Sequence, residues 1–152
     1  MEQTQKLEAW LKQQVPMIEY AQVKIAELNN HRCVITVPFI PQNQNHLQCM
    51  YFGALAIGAD AAAGLLAMHH IQQSGQKLNI LFKDFQAKFL KRAYGDICFT
   101  CADEAILSQA VTEAIQAKKR INISVNVIAS LAENPEVHVA EFIMTLSMKL
   151  AE

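Results

Sequence analysis

The chain has 152 residues, thirteen of them Lys or Arg and fourteen Asp or Glu, for a net charge of -1. That length suits one domain with its own core, so residues 1–152 are expected to form a single domain that needs neither disulfide nor metal to hold it. The near-neutral balance gives no electrostatic reason to expect nucleic acid or an anionic membrane as a partner.

Leu7, Trp10, Leu11 and Val15 recur at helical spacing among charged and amide residues, which predicts an amphipathic helix over residues 2 to about 14, ended by Pro16. The looser alternation of Ile18, Tyr20, Val23, Ile25 and Leu28 predicts a strand over 17–28, and Asn29-Asn30 a turn into a second strand at Cys33–Val37. Pro38 and Pro41 close that strand, and a polar loop over 42–46 leads to the most unusual stretch of the chain. Between Arg32 and Lys77 lie forty-four residues with one acidic or basic side chain other than His, Asp60. The surrounding Cys49–Met68 is rich in Ala and Leu and has no clearly polar face, which predicts a helix about 30 Å long buried in a protein or a membrane. Its glycines and alanines, its central Asp60 and its lack of Lys or Arg flanks argue against a membrane span and for strands packed close against it. A carboxylate in such a place is either satisfied by a partner or held for chemistry.

His69-His70 and Ser74-Gly75 mark the exit of that helix. Leu78–Leu90 predicts a strand bulged near Lys83-Asp84, residues 91–95 a turn, and Asp96–Cys101 the strand it leads into. Ala105–Lys118 predicts a helix, and Ile121–Val127 and Val137–Leu150 two strands joined through Glu133-Asn134-Pro135. This order, with mostly short connections, predicts an α+β protein. A curled antiparallel sheet would wrap one long apolar helix, the hotdog fold by architecture, with the N-terminal helix and a second helix near 105–118 added; the same periodicity equally supports another antiparallel sheet packed on a helix.

Cys98 and Cys101 would point to opposite faces of a strand and lack a second pair, so they read as buried thiols rather than a zinc or redox site. His69 and His70 diverge around a helix, and although His46 could join them, no metal is expected. No secreted cysteine framework, signal peptide, Gly-rich phosphate loop, HExxH or GxSxG occurs, and the expected compartment is the reducing cytoplasm.

The run Asn45-His-Leu-Gln-Cys-Met-Tyr51-Phe52-Gly53, followed by Ala59-Asp60-Ala61, resembles the hotdog thioesterases of the phenylacetyl-CoA and 4-hydroxybenzoyl-CoA type. Their pattern is approximately Asn-x-x-Gly-x-x-His-Gly-Gly-x-x-x-x-x-x-Asp/Glu, and here Asn45, Gly53 and Asp60 fall at matching separations. Phe89-Leu-Lys-Arg-Ala-Tyr-Gly-Asp96 resembles the segment before the family's fourth strand, and the whole looks most like an uncharacterised branch of that superfamily. Gln48 stands where the family usually has Gly, Tyr51 where it often has His, and Phe52 where it has the first Gly.

A helix beginning near residue 50 aims free backbone N–H groups at whatever lies before it, so Phe52 and Gly53 could polarise a thioester carbonyl. Asp60 lies two turns further on, too far to reach that end of its own helix. The resemblance implies a homodimer, or a tetramer, in which the acid of one subunit faces the helix start of the other. Asp60 would then be general base or nucleophile, Asn45 would orient water or substrate, and Tyr51 would donate a hydrogen bond in place of His. The plainer alternative makes Asp60 a structural acid at a dimer interface. Lys88, Lys91 and Arg92, in preference to Lys118-Lys119-Arg120, are the candidates for the phosphates of coenzyme A, which is expected as part of the substrate with no separate cofactor. The expectation is therefore an acyl-CoA thioesterase for a hydrophobic acyl group. A non-catalytic acyl-CoA or fatty-acyl binding protein is the alternative, and a dehydratase a more distant one, since Tyr51 replaces the His those enzymes use.

Overall fold

The computed structural model describes residues 2–152. Helix α1 (Glu2–Gln14) buries Leu11 and partly buries Leu7, while Trp10 stays exposed. Pro16 does not simply stop it: a short helix α2 (Pro16–Tyr20) follows at once, with Pro16 in its first turn. Proline suits that position, because the N–H it lacks would be unpaired there and its φ is already helical. The strand expected over 17–28 is therefore cut to β1 (Lys24–Leu28), after Gln22 turns the chain at φ 56.

β1 pairs with β2 (Cys33–Val37) as the expected hairpin. The central helix α3 runs Phe52–Ser74 and stops at Gly75, whose φ of 72 is a conformation glycine adopts without penalty. It starts three residues later than its composition suggests. The Met50 N–H is held by the Ala93 carbonyl and the Tyr51 N–H by the Asn43 carbonyl, both at 2.8 Å, so residues 50 and 51 are tied to neighbouring loops. Strands β3 (Leu78–Phe89) and β4 (Ile97–Cys101), helix α4 (Glu104–Ala117), and strands β5 (Ile121–Leu131) and β6 (His138–Leu150) complete the fold. The bulge in β3 falls between Phe82 and Asp84, where expected.

The six strands form one antiparallel sheet in the order β1-β2-β4-β5-β6-β3. Residues 90–96 are thus not a hairpin turn; they carry the chain from the edge strand β3 across to β4, three positions inward. Three strand spacings come to roughly 14 Å, which seven residues span easily. Alternate residues of β2, β4 and β5 face α3 and are buried, and α4, packed beside α3 on the same side, covers the buried residues of β6. This is the hotdog architecture. By length and composition α3 could cross a membrane, but here Leu55, Ala59, Ala62, Leu65 and Leu66 are buried in the protein's own core.

The small residues of α3 set how closely the sheet approaches. A Cβ at Gly58 would land on the ring of Phe99, which is completely buried in β4. The ring of Phe142 continues the packing, its centroid 6.3 Å from that of Phe99 and 5.5 Å from that of Phe85. Cys33 and Cys101 pair directly across β2 and β4, and burial pushes their thiols up to about 12 and about 11. Cys98 faces the other side of the sheet. At pH 8 about a thousandth or less of either buried thiol is ionised, and the thiolate is the reactive form. Cys33 and Cys101 are expected to resist iodoacetamide at that pH until denaturant is added, as peptide mass mapping would show; rapid alkylation of either in the native protein would contradict this packing.

Candidate active site

The start of α3 is shaped by the loop before it. Asn43 is buried and its carboxamide donates to the Ala21 and Pro38 carbonyls at 2.8 and 3.0 Å. Asn45 is equally occupied: its Oδ1 accepts from the Leu47 and Cys49 N–H groups at 2.9 and 3.2 Å, and its Nδ2 lies 3.3 Å from Cys49 Sγ. That side chain builds the loop, and both ends of its amide are engaged within it. Gln48 sits at φ 60, the left-handed region, which supplies a physical reason for glycine at this place in the family pattern.

The N–H groups of Phe52 and Gly53, at the first turn of α3, have no acceptor among the described residues; the first helical bond comes from Leu55 to Tyr51. The Tyr51 ring folds back over this turn. A Cβ at Gly53 would strike it, so Gly53 is what lets Tyr51 lie there. The rings of Tyr51 and Phe52 are 5.0 Å apart, and Phe52 meets Phe89 edge-on at 6.2 Å. A pocket of about 340 Å³ opens beside the helix start, lined by Asn45, Cys49, Phe52, Phe89, Lys91 and Arg92 among others. Lys91 and Arg92 are exposed and unpaired among the described residues. Lys88 is elsewhere: it stands opposite Glu141 of β6 on the outer face of the sheet, in a groove with Asn126 and Ile143.

Asp60 lies about 12 Å along the α3 axis from Phe52. Half-buried, it has no hydrogen-bond or ion-pair partner among the described residues, and burial raises its pKa above the ordinary 3.8. It opens into a groove of about 210 Å³ between α1, α2, α3 and β3 whose other lining side chains are apolar. One chain thus brings Asn45, Phe52, Lys91 and Arg92 to a single pocket and leaves Asp60 in another. Phe89 and Cys49 were not singled out from the sequence as site residues. The inward parity of Phe85, Ala87 and Phe89 after the bulge was the available signal for the first; nothing comparable marked the second.

A free pair of helix-start amides can hold a developing oxyanion, and an unpaired, partly desolvated carboxylate is a stronger base than an exposed one. The curled sheet around one long helix places the chain among hotdog-fold proteins. Its sequence matches the family described as a domain of unknown function, DUF4442, over residues 3–146, and the chain belongs to that family. No curated protein matches it. Among solved structures, a candidate thioesterase from Shewanella oneidensis superposes with a TM-score of 0.82 at 13% identity, covering 98% of this chain and 99% of that one. A Pseudomonas aeruginosa protein of unknown function, described as a candidate thioesterase, gives 0.81 at 21% identity, covering 97% and 96%. A mutant of a thioesterase enzyme from Staphylococcus aureus gives 0.68 at 14% identity, covering 89% and 99%. At these identities what is shared is the fold.

Proposed function

We propose that the chain hydrolyses the thioester of an acyl-CoA with a hydrophobic acyl group, at a site shared between two copies of itself. The observation that carries this is the position of two half-sites at opposite ends of one edge strand. The Asp60 groove is bounded by Ile80–Phe82 and the helix-start pocket by Phe89 and Leu90, while among the described residues β3 pairs only with β6 and leaves its other edge open. Antiparallel pairing of two such edges about a two-fold axis near Phe85 sets residues 80–82 of one copy beside 88–90 of the other. Asp60 of each copy then faces the free amides of its mate. Leu81, Phe85 and Phe89, all exposed in one chain, would gain cover.

In that arrangement Asp60 acts as general base or nucleophile. As base it takes a proton from water as the oxygen adds to the thioester carbonyl, whose charge the Phe52 and Gly53 N–H groups hold. The C–S bond then breaks, and the proton passes from Asp60 to the departing sulfur, giving free thiol and carboxylic acid. The Tyr51 phenol, without a partner among the described residues, is placed to donate a further hydrogen bond, and Lys91 and Arg92 to meet coenzyme A phosphates. Asn45 contributes by fixing the loop.

Phe52 favours a second reading, an acyl-binding protein without catalysis, because its ring stands exposed at the helix start against Phe89. One assay separates them. A panel of acyl-CoAs monitored for free thiol is expected to show release from the hydrophobic members; tight binding with no release from any would replace the hydrolase with the binding protein.

A further inference from the structure

We propose that the groove beside Asp60 receives the unbranched aliphatic chain of the acyl group, with α1 and α2 as its outer wall and Gly64 as the position that keeps it open; this rests on the thioesterase reading above. Asp60, Gly64 and Met68 follow one another at four-residue steps, so they share one stripe of α3, and all three line the groove. Across from them stand Leu11, Val15 and Ile18. Apart from Asp60 at its end, no lining residue carries charge, which fits an alkyl chain and excludes the polar parts of coenzyme A. At about 210 Å³ it is smaller than the roughly 300 Å³ at which pockets for drug-sized ligands begin, and so suits a slim chain rather than fused rings.

Two glycines of α3 differ in a telling way. Gly58 has no room for a side chain, because Phe99 occupies the space. Gly64 has room: a Cβ there would meet only Phe82 Cε2, at an ordinary 3.9 Å. Packing therefore does not require glycine at 64, and helix propensity disfavours it. What the missing side chain does is leave the groove unfilled, one turn beyond the carboxylate.

The wall opposite is anchored. Glu8 Oε2 accepts the Ile25 N–H at 2.9 Å, fixing α1 to β1, and the loop at Gln42 and Asn43 holds the end of α2 through the Tyr20 and Ala21 carbonyls. The N-terminal helices are thereby tied both to the sheet and to the loop that shapes the start of α3, and a chain lying against them would be held by a fixed boundary.

The test compares the parent protein with Gly64→Ala and Gly64→Leu on butyryl-, octanoyl- and palmitoyl-CoA. In a hydrophobic pocket the space for one methylene is worth about 10–200-fold in discrimination. The ratio of kcat/KM for octanoyl- over butyryl-CoA is expected to fall by about tenfold or more in Gly64→Leu and by less in Gly64→Ala, which also serves as the folding control. An unchanged ratio, or an equal loss on all three substrates, overturns the proposal. So does a loss of oligomeric state in Gly64→Leu by light scattering, which would mean that a second copy fills the groove. If the parent releases no thiol from any substrate, the hydrolase reading fails separately, and displacement of a fluorescent fatty acid by octanoate decides the groove. Displacement from the parent, with no binding of the fluorescent fatty acid to Gly64→Leu, supports it; no binding to the parent ends it.

Discussion

Asp60→Asn is expected to lower thioester hydrolysis by about 10²–10⁴-fold, the usual worth of a positioned acid or base, while the protein remains folded and becomes more resistant to heat near neutral pH. The two halves of this result have one cause. Burial without a partner raises the Asp60 pKa above 3.8, so the folded chain holds that proton more tightly than the unfolded chain does. Stability linked to this group is complete at low pH and is lost as pH rises through the raised value, when the buried group must ionise. Asparagine never ionises and escapes that loss. In the parent, activity should rise over the same window in which this contribution to stability declines, because the base must be charged to work; melts and rates from about pH 4 to about pH 8 would display both. Mixing Asp60→Asn with a chain disabled at the helix start by Gly53→Val should restore activity, since one site of each mixed dimer is then intact. A variant that kept its activity and lost stability would make Asp60 a structural acid.

Phe99→Ala is expected to be among the most damaging changes in the core, at about 3–5 kcal/mol, which for a protein of this size lowers Tm by roughly 10 °C. Phe99 is completely buried and fills the space over Gly58. Gly58→Ala attacks the same contact from the other side. The new methyl must displace a ring confined by its neighbours, at a cost of about 1–3 kcal/mol despite the better helix propensity of alanine. The two sites should therefore couple: Gly58→Ala ought to hurt less in a Phe99→Leu background than in the parent. A double-mutant cycle by denaturant unfolding measures this, and simple additivity would show that the helix and sheet do not meet there.

What could be read from the sequence was whatever a short stretch decides for itself. The spacing of Leu7 and Leu11, the parity change at Lys83-Asp84 and the stop at Gly75 are local patterns, and the corresponding elements stand where they were expected. Pro16 was ambiguous because proline both ends helices and begins them, and only the burial of Ile18 in the next turn decides which. The crossover at 90–96 depends on which strands pair, a long-range property that a turn-rich run does not disclose. The same division runs through the site. Asp60 stood out because it is the one acidic residue in an apolar stretch otherwise free of Lys and Arg, but the full use of the Asn45 amide inside its own loop is a matter of backbone geometry. Lys88 is near Lys91 in sequence, yet strand alternation sends it to the opposite face of the sheet.

The open edge of β3 also bears on how the protein reaches its working state. Its twelve residues offer a free row of backbone donors and acceptors with Leu81, Phe85 and Phe89 close by. A row of that kind is indifferent to whose strand adds to it, so if two copies pair along β3 as proposed, freshly folded chains would face a race between orderly pairing and indiscriminate stacking. Gentle dilution during refolding would favour the first.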